Sequence, residues 1–92
     1  MSSEATADQV AERTLSVPGV EALHAGVLGE VATYLPGRRV NGVRLTEDAC
    51  EVHVVLAWGA AVRQTAEDVR SHLADLVDVP VTVTVEDVAP PS

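Results

Sequence analysis

Cys50-Glu-Val-His-Val-Val-Leu-Ala57, then Trp58-Gly59, a helical stretch and Val81-Thr-Val-Thr-Val85: this run decides the fold. The first segment places Val52, Val54 and Leu56 on one face and His53, Val55 and Ala57 on the other, the period of two that a strand imposes. Beyond Gly59, Val62, Ala66, Val69, Leu73 and Leu76 recur at alternating steps of four and three. That spacing makes one apolar stripe on a helix, with Arg63, Glu67, Arg70 and Asp78 off it. Pro80 forbids continuation. Val81, Val83 and Val85 then alternate with Thr82 and Thr84, a strand with one buried face. A strand-helix-strand unit of this size lays both strands in one sheet beneath a packed helix.

Working toward the N-terminus, Glu47-Asp48-Ala49 links the Cys50 strand to Val43-Arg-Leu-Thr46 as a short antiparallel hairpin, and Asn41-Gly42 supplies the turn before it. Ala7, Val10, Ala11 and Leu15 lie at helical spacing behind a Thr6 cap, until Pro18-Gly19 ends that helix. Val20 to about Val27 reads as a strand. Val27, Val31, Ala32 and Leu35 would equally suit a helical face, but Gly26 and Gly29 weaken a helix and favour extended chain. Pro36-Gly37 breaks the chain again, and the path of residues 27–40 stays open.

The expected architecture is α+β, in the order helix, strand, strand, strand, helix, strand. Both helices pack on one face of a mixed sheet, with Val52, Val54, Leu56, Val69, Leu73, Val81 and Val83 in the core. One domain covers residues 6–88, between a polar tip at 1–5 and a Pro-rich tip at 89–92, with no internal repeat.

The 92 residues include 18 Val and 13 Ala but no Phe and no Ile, and Tyr34 and Trp58 are the only aromatics. A short chain whose core lacks large side chains gains little burial per residue, and self-association is the expected remedy. Fourteen acids against six Arg, with no Lys, give a net charge of −8. That charge opposes nucleic-acid phosphates and anionic lipid alike. No basic segment leads into an apolar one near the N-terminus, and no stretch reaches the roughly 18 apolar residues of a membrane span. A cytoplasmic location without direct membrane insertion is therefore expected. A single Cys, unable to form an internal disulfide, agrees with a reducing compartment.

Few residues invite chemistry. Cys50 and His53, three apart in a strand, project to opposite faces and do not converge as metal ligands. Cys50 at the start of a strand reads as a packed residue more readily than as a nucleophile. His24 and His72 read as partly exposed polar residues. Glu67-Asp68, Asp75 and Asp78 mark a solvated helix face, because adjacent helical acids point apart. Gly26-Val-Leu-Gly29 matches the glycine-bounded loop of KH domains in form, yet its middle residues are apolar and the net charge is wrong for RNA. No catalytic, metal-binding or cofactor-binding residue is assigned, and no small-molecule substrate. Arg38-Arg39, the one basic pair, follows the Pro36-Gly37 turn. With nearby Tyr34 it is either a solubilising loop or the contact point for an acidic partner.

Val17-Pro-Gly-Val20, Gly42-Val-Arg-Leu45, Val52-His-Val-Val-Leu-Ala-Trp-Gly59 and, after a helix, Val79-Pro-Val-Thr-Val-Thr-Val-Glu-Asp-Val88 are similar in order and spacing to the bacterial alkaline shock protein family, the Gls-type general stress proteins. The resemblance spans residues 7–88 and suits a short actinobacterial-type member. It implies a non-enzymatic scaffold or adaptor linked to cell-envelope stress. Such a protein would form homo-oligomers and be held at the inner membrane face by a small membrane-anchoring protein. A small carrier or assembly factor of the iron–sulfur type is the alternative, similar in outline only. Its Asp-Pro-Glu signature is missing and Cys50 lies before the strand instead of near the second helix. A domain that regulates an enzyme by binding it is a third class.

Overall fold

The computed structural model describes residues 6–91. Helix α1 (Ala7–Leu15) starts at Thr6, whose hydroxyl accepts from the Gln9 amide while the Gln9 side chain accepts from the Thr6 amide, a reciprocal capping box. Strands β1 (Val20–Leu23), β2 (Ala32–Leu35), β3 (Arg38–Asn41), β4 (Val43–Leu45) and β5 (Cys50–Leu56) follow, then helix α2 (Val62–Ala74) and strand β6 (Val81–Val88). The expected α+β order is kept, with β2 and β3 added in the stretch left open.

β5 organises the sheet. β6 runs parallel to it along its whole length, from Cys50 opposite Val81 to Leu56 opposite Val88, as a strand returning through a crossover helix must. On its other edge β4 pairs antiparallel with Cys50–Val52, and β1 pairs antiparallel with Val54–Leu56. β1 and β4 thus lie end to end, and the His53 backbone joins them: its amide donates to the Gly42 carbonyl at 2.9 Å and its carbonyl accepts from the His24 amide at 2.8 Å. Gly42 sits at this seam with φ +82, and a Cβ there would stand 2.7 Å from the Leu23 Cβ. No other residue fits that approach.

Val52, Val54 and Leu56, the inward row predicted from their alternation, are fully buried, and Cys50 extends that row. Val10, Val17, Val43, Val69 and Leu73, from the two helices, the turn after α1 and strand β4, cluster with Cys50 and Val52. Val81 and Val83, expected in the core, are only half-buried and pack on its margin. Among the described residues β6 pairs only with β5, so no further strand lies along the far side of its valine row.

Three further expectations are corrected, and the stretch left open is settled. The strand beginning at Val20 stops at Leu23, because Gly26 and Gly29 take φ +89 and +72 and turn the chain. Residues 32–41 form a two-stranded hairpin, closed by Pro36-Gly37 with Gly37 at φ +76, so neither a helix nor a loop occupies this stretch. Leu15, placed on the apolar face of α1 by spacing, is 47% exposed, and Thr14 is buried in its place. The Thr14 hydroxyl donates back to the Val10 carbonyl at 2.7 Å, which satisfies a polar group in the core. In α2 the buried residues are Thr65, Val69 and Leu73, while Val62 is exposed and the helix ends at Ala74, so Leu76 lies in the following turn.

The hairpin guards one sheet edge. The Thr33 hydroxyl donates to the Val43 carbonyl at 2.7 Å and accepts from the Leu45 amide at 3.1 Å, the backbone groups that β4 turns away from β5. At the other end of the chain the ladder outlasts β6, since the Ala89 amide donates to the Leu56 carbonyl at 2.7 Å. The expected tip at 1–5, and Ser92, lie outside the described residues.

Candidate interaction surface

The basic pair lies in strand β3, not in a loop, and a strand sends adjacent side chains to opposite faces. Arg38 and Arg39 are therefore separated. The Arg38 guanidinium forms a bidentate pair with the Asp8 carboxylate in the first turn of α1, with one bond at 3.0 Å. That contact, chiefly through hydrogen bonding, holds the Asp8 carboxyl below the usual carboxylate range. Arg39 stands directly across the hairpin from Tyr34, and its guanidinium carbon lies 5.3 Å from the ring centroid. Its Nε donates to the Asn41 side-chain oxygen at 2.6 Å and its Nη2 to the Gly29 carbonyl at 2.8 Å. Among the described residues Arg39 and Arg63 make no ion pair, whereas Arg13, Arg38, Arg44 and Arg70 each face a carboxylate. Of the three residues singled out from sequence, Tyr34 and Arg39 are brought together and Arg38 is diverted to the helix.

The Gly29 carbonyl connects this pair to the loop between β1 and β2. Inside that loop the Gly26 amide donates to His24 Nδ1 at 2.9 Å, the Gly29 amide to the Gly26 carbonyl at 3.1 Å and the Val31 amide to the Ala25 carbonyl at 2.7 Å. The Glu30 carboxylate accepts from the Leu28 amide at 2.9 Å. The backbone N–H groups of Glu30 and Leu28 hold that carboxyl below its ordinary range. A Cβ on Gly26 would stand 2.7 Å from the Glu30 carboxyl carbon, so glycine is what lets the carboxylate tuck in. Arg44 fastens the far side by donating to the Glu30 carbonyl. Held at its tip are Val27 and Leu28, 87% and 89% exposed, with Tyr34 70% exposed on the adjoining hairpin. A loop tied by these hydrogen bonds that presents two aliphatic side chains beside an Arg–aromatic pair has the composition of a binding hot spot.

The remaining candidates fall into structural roles. The Cys50 thiol is buried in the core, and burial, with the nearby Glu51 charge, pushes its pKa up, opposite to what a nucleophile needs. His53 is on the other face of the sheet, with Nδ1 2.6 Å from a Glu86 oxygen and Nε2 3.6 Å from Glu51. Cys50 and His53 are thus on opposite sides, and no group of three or more His, Cys, Asp or Glu among the described residues is arranged to hold a metal ion. Glu67 pairs with Arg70 and Asp68 accepts from Gln64 on α2, and Asp75, just past the end of the helix, pairs with Arg13. No helix among the described residues is long and apolar enough to cross a membrane.

Sequence reading missed Val27 and Leu28 as a displayed pair, since an apolar dipeptide between glycines reads equally as strand. The two bracketing glycines were the available signal. It also missed Thr33 and the His53–Glu86 contact, which depend on residues ten and thirty-three positions away. Comparison with known proteins finds no family model, no curated protein and no solved structure that matches this chain.

Proposed function

We propose that this domain is a non-enzymatic scaffold or adaptor that works by protein contact, in keeping with the resemblance to alkaline shock proteins. The observation that supports this reading best is Arg39. In a chain of net charge −8 it holds an arginine charge against neutral acceptors and the Tyr34 ring, beside the exposed Val27 and Leu28. Such a surface takes an apolar partner segment that carries a carboxylate, which supplies both the missing counter-charge and cover for the aliphatic pair. The partner proposed is a small membrane-anchored protein, which would hold the domain at the inner face of the membrane, and the domain self-associates. The envelope-stress role rests on the resemblance alone.

The test places a photo-reactive amino acid at Leu28 in cells, followed by cross-linking and membrane fractionation. A cross-linked adduct in the membrane fraction that disappears in the Arg39→Glu background supports the reading. Protein that stays wholly in the soluble fraction, without an Arg39-dependent adduct, overturns it.

A further inference from the structure

We infer that the outer edge of β6 pairs with the same edge of a second copy, antiparallel and centred on Val83. This deepens the self-association included in the proposed function by assigning it a surface separate from the Tyr34–Arg39 patch. Among the described residues β6 hydrogen-bonds to β5 and to no other strand, while Thr33 and the β2–β3 hairpin close off β4 on the opposite side. The Cys50 amide donates to the Pro80 carbonyl, so even-numbered residues of β6 turn their backbone groups toward β5. Val81, Val83 and Val85 turn theirs outward, with no strand among the described residues to receive them. The same valines are only half-buried, and a strand laid along this edge would cover their side chains and pair their backbone together.

The bulge in β6 selects the register. Val54 pairs with Val85 but Val55 with Asp87, so Glu86 is the extra residue, and the Ala89 amide then donates to Leu56. Beyond the bulge the backbone of Asp87 is turned back to β5, which limits the regular outward run to Val81, Val83 and Val85. An antiparallel mate whose outward groups all match must therefore set Val83 against Val83 and Val81 against Val85, each pair exchanging both hydrogen bonds. In that register Thr82 falls opposite Thr84 of the mate. Within the regular run, Val81 to Val85, no residue is acidic, so no acid meets an acid there although the chain is strongly acidic. This edge is complementary to itself, the condition for a two-fold interface. It also lacks the Lys, Pro or internal bulge between Val81 and Val85 that would guard an edge meant to stay open.

The test uses two double variants with charges on the outer face of β6. T82K/T84K sets Lys against Lys across the two-fold, and T82K/T84E sets Lys against Glu. Sedimentation equilibrium on the full chain, with circular dichroism to establish that each variant folds, reads the dimer constant. Wild type is expected to dimerise, T82K/T84K to dimerise more weakly by on the order of tenfold, and T82K/T84E to stay within a few-fold of wild type. The R39E variant is expected to dimerise like wild type, which keeps this interface distinct from the partner surface. A monomeric wild type, equal dimerisation of the two double variants, or loss of the dimer in R39E overturns the inference. A monomeric wild type would leave the Arg39-dependent membrane adduct to be judged separately.

Discussion

Arg38 and Asp8 stand thirty positions apart in sequence, yet a bidentate contact between them ties the β2–β3 hairpin to the first turn of α1. The pair lies on the surface, so its contribution is small and salt-sensitive. Because Arg38 holds the folded-state pKa of Asp8 below its unfolded value, the stabilisation is fully present above the ordinary carboxylate range. It is lost as pH falls from about 4 through the folded pKa. Thermal melts of wild type and Arg38→Gln should therefore differ at neutral pH and converge in acid or high salt. A gap that stays constant with both pH and salt would assign the effect to packing of the Arg38 stem instead.

Leu73 and Leu15 give opposite expectations from similar helical spacing. Leu73→Ala removes a fully buried side chain and should cost about 2–5 kcal/mol. Leu15→Ala alters a half-exposed residue at a helix end and should stay within about 0.5 kcal/mol. Urea unfolding of the two variants checks this, and comparable losses would mean that the buried face of α1 is misassigned.

Gly42 and Gly37 both have positive φ, but their surroundings differ. At Gly37 an added Cβ meets nothing within 4 Å, so Gly37→Ala should cost only the backbone strain of about 1–2 kcal/mol. At Gly42 the same methyl would press on the Leu23 Cβ and, at 2.9 Å, on the His24 amide nitrogen, where β1 and β4 meet. Gly42→Ala should be clearly the more destabilising of the two in denaturant titration. Equal costs would argue against the end-to-end placement of β1 and β4.

Cys50 should behave as a core residue. With the thiol fully buried and its pKa raised by burial, a thiol-specific reagent at neutral pH should label the native protein far more slowly than the unfolded chain. Time courses with and without denaturant decide this. Native labelling at the unfolded rate would show that Cys50 is open to solvent and reopen its reading as a reactive residue.

Local pattern determined the elements with strong period: the inward row of β5, the body of α2, the α1 cap at Thr6 and the β4–β5 hairpin. In each, neighbouring residues carry both the periodicity and the stop signal, so no distant contact is needed to read them. Tertiary structure decided the rest. Residues 31–41 suit helix and strand almost equally, and their hairpin is stabilised by Val40 entering the core and Thr33 reaching β4. Leu15 loses its place in the core to Thr14 because the Thr hydroxyl finds the Val10 carbonyl inside the helix, an exchange that hydrophobic spacing cannot register. Tyr34 and Arg39 were legible as candidates, but their separation from Arg38 follows from strand alternation within a hairpin that was not foreseen. The half-buried valines of β6 are likewise a matter of sheet position. Alternation says that one face of a strand is apolar, and only the assembled sheet says whether anything lies beside it.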